Sequence, residues 1–154
     1  MSQKVTLQRS FNLPVHELFF YFTDPGLIER WSAPDGMTLN VPVFEFERGG
    51  RYRYEHTSSN GVYVCEGHLR KIVENEMIRM VDDEIRDPSG NLVAEKLSCD
   101  ITFKQIPSGS EVTIVQNGFP NDKFANECKT SWNQCFNKLQ DLVKDSGLKK
   151  SKSA

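Results

Sequence analysis

Apolar and polar residues alternate from position 5 to 11, with Val5, Leu7 and Arg9 on one face and Thr6, Gln8 and Ser10 on the other, which predicts a half-buried strand. The period then changes. Pro14 suits the first turn of a helix, and Val15, Leu18, Phe19 and Phe22 follow at helical spacing as one apolar stripe. At Asp24-Pro25 the pattern restarts: Asp24 is placed to cap, Pro25 to occupy the first helical position, and Leu27, Ile28 and Trp31 form the inner face of a second short helix ending before Pro34 and Gly36. From Met37 to Gln116 the punctuation is that of hairpins, at Gly49-Gly50, Asn60-Gly61, Glu74-Asn75-Glu76, Pro88-Ser89-Gly90-Asn91 and Pro107-Ser108-Gly109. Strands are predicted at 38–46, 51–57, 62–73, 77–85, 92–104 and 111–117. Connections this short favour an antiparallel meander, and Pro42 marks an edge strand or a bulge. Between 121 and 144, Phe124, Cys128, Trp132, Cys135, Leu139 and Leu142 recur every three or four residues, a stripe along one long helix for which Gly147 is the expected stop. A stripe of that length needs a wide apolar surface, and the meander is the only candidate.

Composition narrows the class. The 154 residues, 38% hydrophobic and 26% charged with a net charge of −2, suit one domain over 1–146, with a disordered basic tail at 147–154. The dispersed basic residues argue against nucleic-acid binding. No apolar run approaches a membrane span, and the N-terminus reads as a strand rather than a signal peptide, so a cytoplasmic location without membrane insertion is expected. The four cysteines Cys65, Cys99, Cys128 and Cys135 form no CxxC pair and read as small buried hydrophobes. Neither a metal site nor any cofactor is expected.

The order of one strand, two short helices, six strands and a terminal helix resembles the helix-grip superfamily (SRPBCC), which includes START lipid-transfer domains, birch-pollen-allergen-like proteins and polyketide cyclases. Three stretches, FNLPVHELFFYFTDPGLIERWSAPDG, FERGGRYRYEHTSSNGVYVCEGHLRKIVENEMI and SWNQCFNKLQDLV, are similar to the family named after the activator of heat-shock protein 90 ATPase. The resemblance implies an α+β helix-grip fold, a curved antiparallel sheet of about seven strands wrapped around the C-terminal helix. The family's chaperone-activating members carry a further N-terminal domain for which this chain has no room, so direct co-chaperone action is not expected from the resemblance.

A sheet wrapped around a helix leaves a gap wherever side chains are too small to meet, and such gaps bind ligands. Strand parity puts Tyr52, Tyr54 and His56 on the inner face opposite Arg51, Arg53 and Glu55, and Tyr63, Cys65, Gly67 and Leu69 on the inner face of the next strand. The candidate ligand-binding residues are Trp31, Tyr52, Tyr54, His56, Tyr63, Cys65, Met80, Cys99, Phe119, Cys128, Trp132 and Phe136. The alternative is that they pack together and fill the core. Of the histidines only His56 has an inward address. A His56–Cys65 nucleophilic pair is conceivable but lacks an orienting group, so no catalytic residue is assigned. Asp82, Asp83 and Glu84 offer a general base if one is buried, but read more simply as a solvated strand end.

The expected function is therefore binding of a small hydrophobic or amphipathic ligand in the cavity between sheet and helix. The alternatives are a protein-interaction or co-chaperone-like stress-response role, which requires an exposed apolar patch, and a cyclase- or hydrolase-type enzyme on a bound hydrophobic substrate, which requires an inward ionisable group. A protein partner and a homodimer both stay open.

Overall fold

A computed structural model describes residues 4–153, and the side chains of residues 4–144. The elements follow the expected order: β1 (Val5–Phe11), α1 (Val15–Tyr21), α2 (Pro25–Trp31), β2 (Thr38–Phe44), β3 (Arg51–Ser58), β4 (Gly61–Val73), β5 (Met77–Arg86), β6 (Leu92–Ile106), β7 (Gly109–Asn117) and α3 (Asp122–Ser153). The seven strands form one curved antiparallel sheet in the order β1-β7-β6-β5-β4-β3-β2. The six-strand run is thus a meander, and β1 returns to its far end by pairing with β7, from Val5 opposite Gln116 to Phe11 opposite Ser110. α1 and α2 join the two edge strands, carrying the chain from one side of the sheet to the other.

Local chemistry explains the joints. Asp24 caps α2 by accepting from the Leu27 amide at 2.9 Å, with Pro25 in the first turn. Pro14 does not enter α1 as the sequence suggests. It is the residue before the helix, extended at φ −61° and ψ 153°, and its carbonyl accepts from the Glu17 and Leu18 amides at 3.1 Å. Pro42 lies on an edge strand and also beside a register break between Asn40 and Val43, where its missing N–H costs no ladder bond. The neighbouring Val41 amide donates to Glu29 Oε2 of α2 at 2.8 Å, so the helix covers part of this edge.

The core lies between the concave sheet face and the helices. Leu18, Trp31, Leu69, Ile114, Phe136 and Leu139 are buried there, drawn from both helical stripes and the inward strand positions. α3 runs across the sheet with Ala125, Cys135, Phe136, Leu139 and Val143 buried, the three-and-four spacing of its sequence. It continues through Gly147 to Ser153, past the expected stop. An interior glycine costs about 1 kcal/mol relative to alanine, too little to end a helix by itself. Of the expected tail, the backbone of 147–153 is thus part of α3, while its side chains and residue 154 lie outside the described part of the structure.

Candidate functional site

Between the sheet and the helices a cavity of about 290 Å³ remains open, at the small end of the usual range for ligand sites. Its floor is the inner face of the sheet: Tyr52, Tyr54 and His56 from β3, Tyr63 and Cys65 from β4, Met80, Asp82 and Ile85 from β5, Cys99 and Ile101 from β6, and Gln116 from β7. Its roof is Cys128, Ser131, Trp132 and Cys135 of α3, at the i, i+3, i+4, i+7 spacing of one helix face. Phe22, Ile28, Trp31, Ser32, Pro34 and Met37, from α2 and the segments flanking it, close the side.

Ten of the twelve candidate residues therefore face one space: Trp31, Tyr52, Tyr54, His56, Tyr63, Cys65, Met80, Cys99, Cys128 and Trp132. Phe119 and Phe136 do not. Phe119 is buried in the turn before α3 with its ring toward Phe124. Phe136 is one turn beyond Trp132 and points to β1, edge-on to Phe11 and beneath the Arg9 guanidinium. Sequence periodicity showed both as inward but could not separate the cavity wall from the packed core behind it.

The acidic run departs furthest from expectation. β5 extends to Arg86, so the run is not a strand end. Asp83 faces out and meets His68 Nδ1 at 2.9 Å, and Glu84 accepts from Arg86 at 3.2 Å. Asp82 instead turns into the cavity. It follows Met80 by simple alternation, and a β-bulge comes just after it: Glu66 pairs with Glu84 but Gly67 with Asp82, so Asp83 is an extra residue and the parity of the strand reverses beyond Asp82. With the bulge, both Ile85 and the Met80–Asp82 pair face inward.

Tyr52 reaches Asp82 across the middle strand. Its phenol passes over Gly67 and donates to Asp82 Oδ1 at 2.6 Å. A Cβ on residue 67 would lie 2.4 Å from the Tyr52 oxygen and 2.1 Å from the Val81 carbonyl, so the absence of a side chain makes the crossing possible. The Cys65 thiol donates to the same carboxyl. Burial pushes the Asp82 carboxyl above its ordinary value, and the two donors offset this only in part. The reciprocal effect holds Tyr52 and Cys65 protonated, their burial reinforced by the carboxylate beside them. Tyr54 and Cys99 are raised mainly by burial, and Cys128 and Cys135 are both pushed up to about 12 by it.

His56 donates from Nε2 to the Ser32 carbonyl at 3.0 Å, and burial lowers its pKa, so the ring is neutral at pH 7. With the ring tied to Ser32 and the Cys65 thiol to Asp82, the conceivable His56–Cys65 pair does not form. Gln116 is held by the Trp132 indole, whose Nε1 donates to Oε1 at 2.9 Å, and Trp31 donates to the Tyr21 carbonyl at 3.0 Å behind the wall. Among the described residues, no lysine or arginine lines the cavity, and no group of three or more His, Cys, Asp or Glu side chains is arranged to hold a metal ion.

Among the lining residues that sequence reasoning missed are Asp82, Gln116 and Ser131. Each left a signal in the spacing: Asp82 is two residues from Met80, Gln116 two from Ile114, and Ser131 lies between Cys128 and Cys135 on the helix stripe. Polarity argued against placing them inside.

The geometry has close counterparts. A protein of Chromobacterium violaceum superposes with a TM-score of 0.82 at 25% identity, over 91% of this chain and 96% of that one. A Silicibacter pomeroyi protein described as AHSA1 has a TM-score of 0.78 at 16% identity, over 94% and 99%. A Mycobacterium smegmatis protein has a TM-score of 0.76 at 18% identity, over 90% and 89%. These last two show the fold alone. A stretch of 121 residues is 27% identical to contactin-2 of Homo sapiens, and equally to that of Rattus norvegicus; it takes in 78% of this chain but 11% of those proteins. The chain thus spans about a ninth of the length of these relatives, and the match carries no functional argument. The family model for activator of Hsp90 ATPase homolog 1-like protein matches residues 12–144, so both helical joints, the bulged strand with Asp82 and the roof helix fall within it, and the chain belongs to that family, within the SRPBCC helix-grip superfamily.

Proposed function

We propose that the protein binds a small hydrophobic or amphipathic molecule in the cavity between sheet and α3. The observation that carries this reading is the open space itself: side chains that would meet in a filled core leave about 290 Å³ between them. Six of the lining side chains are the aromatic rings of Phe22, Trp31, Tyr52, Tyr54, Tyr63 and Trp132, large flat surfaces of which all but Phe22 have a polar edge. Tyr52, His56 and Gln116 already have protein partners, and most of the lining is apolar, which makes apolar contact the main source of affinity. The family fold, which commonly binds hydrophobic ligands, agrees.

The interaction reading has less support. The large exposed hydrophobic residues among those described, Phe20, Val43, Val62 and Leu92, are four, each on a different element. The enzyme reading is favoured by one observation, the inward carboxyl of Asp82, but lacks a nucleophile, since the neighbouring thiols are held protonated.

Two tryptophans in the wall provide the test. Titration with a neutral aromatic probe such as 3-propylindole, followed by native mass spectrometry, should give one bound molecule per chain. Cys128→Phe, which adds a ring to the roof, should abolish that binding while the circular dichroism spectrum stays unchanged. Equal binding by Cys128→Phe places the probe elsewhere and refutes the proposal.

A further inference from the structure

We propose that the cavity selects a small aromatic or aliphatic molecule bearing one protonated amine, with Asp82 as the counter-ion. This rests on the reading that the cavity binds a ligand and names the ligand's chemistry.

Asp82 is the single carboxyl among the lining residues, and no lysine or arginine among the described residues lines the cavity beside it. The groups that face it are Tyr52 and Tyr54 from β3, Cys65 from β4, Cys99 from β6 and Cys128 from α3, with Asp83 adjacent in the chain. None of them carries a positive charge. The one basic ring on the wall, His56, is neutral and committed to the Ser32 carbonyl. Structural buried carboxylates are ordinarily paired with a cation of the protein. Here the pairing is left open toward the cavity.

The hydrogen bonds at Asp82 fit a waiting anion. Tyr52 and Cys65 both donate to it, which favours the ionised form, yet a carboxylate has about four acceptor sites and two donors leave about half of them free. An ammonium group supplies donors and charge together, and in this low-dielectric setting its attraction is far stronger than in water. Trp31, Tyr54, Tyr63 and Trp132 present further faces suited to a cation and to the apolar body behind it. An anionic ligand would meet Asp82 with no compensating donor cation. A neutral one would leave the carboxyl buried as it is. At about 30 Å³ per water molecule the space holds about ten water-sized groups, which limits the ligand to roughly that many non-hydrogen atoms.

Calorimetric titration at neutral pH with three probes of equal skeleton tests this: tryptamine (cation), 3-propylindole (neutral) and indole-3-acetic acid (anion). Tryptamine should bind at least about tenfold more tightly than 3-propylindole, and the acid more weakly than either. Asp82→Asn should bring tryptamine and 3-propylindole within about twofold of each other. If 3-propylindole binds the wild type as well as tryptamine does, the amine preference is overturned while ligand binding stands. If neither probe binds, both readings fall. Retention of the amine preference in Asp82→Asn overturns the counter-ion role, and should that variant not fold, the wild-type series decides alone.

Discussion

Gly67 controls the chemistry of the cavity without touching it. The Tyr52 ring lies over it, and that path brings the phenol to Asp82. In Gly67→Ala the new methyl would overlap both the Tyr52 oxygen and the Val81 carbonyl, so the side chain and the strand backbone must both give way. The variant should lose about 1–3 kcal/mol in urea denaturation, with a change in near-ultraviolet dichroism as the tyrosine moves. Asp82 gives a second, pH-linked expectation. Its folded-state pKa is raised above the ordinary 3.8, so the folded chain holds a proton there more tightly than the unfolded one. The associated stability is complete below that ordinary value and is lost as the pH rises through the folded value. Asp82→Asn removes this dependence. Relative to wild type, it should therefore be more stable at neutral pH than at about pH 4, and urea midpoints at the two values check the sign. His56 works in the opposite sense: its depressed pKa contributes stability above 6.5 that is lost on acidification, and it cancels in the comparison because both proteins carry it.

At the scale of elements, the position of α3 on the sheet sets the height of the cavity roof. Its apolar stripe provides the attraction, but apolar contact is non-directional, and polar bonds choose the seat. Arg9 on β1 donates to Asn137 at 2.7 Å, Gln140 at 3.1 Å and Asn133 at 3.3 Å, and its guanidinium stands 5.5 Å from the centre of the Phe136 ring. On the other side Gln134 accepts from the Asp35 amide at 2.9 Å, and the Lys138 ammonium donates to the Ala33 and Pro34 carbonyls. The helix is thus pinned between the edge strand β1 and the segment after α2. Arg9→Ala should cost about 1–2 kcal/mol, since the guanidinium is only partly buried and its three acceptors regain water. A larger effect is expected on the cavity than on the fold: probe affinity should weaken as the roof loosens, while secondary structure by far-ultraviolet dichroism is retained.

At the scale of the whole molecule, β1 and β7 are separated by most of the sheet's sequence yet adjacent in the sheet, and α1 and α2 span between the sheet's two edges. Closing that arrangement produces the concavity, and the concavity produces the unfilled space. A ligand that enters it binds only the closed state, so occupancy should stabilise the entire domain. At a hundredfold excess over Kd the gain is about 2.7 kcal/mol, which for a chain of this size raises the melting temperature by about 5–10 °C. Differential scanning fluorimetry with 3-propylindole measures the shift; an occupant that binds tightly with no shift would have to bind the unfolded chain as well. No helix among the described residues is long and apolar enough to cross a membrane.

The elements were legible because each is written in local periodicity: alternation at Val5, Leu7 and Arg9, the three-and-four stripe from Phe124 to Leu142, and glycine, proline or asparagine at the turns. Pro42 announced its edge and its bulge for the same reason, since a missing N–H is a local property. Strand parity placed Tyr52, Tyr54, His56, Tyr63 and Cys65 on the inner wall. The inward turn of Asp82 was present in its alternation with Met80, though its polarity argued against it; the reversal that then brings Ile85 inward was not legible, because it depends on a bulge opposite Gly67, a pairing between two strands that neither strand encodes alone. Nor was the difference between Trp132, on the wall, and Phe136, in the core behind it, since both satisfy one helical stripe and only the position of β1 separates them. Periodicity determined which faces turn inward; the packing of those faces against one another decided where they fail to meet, and so where the cavity and its single carboxyl lie.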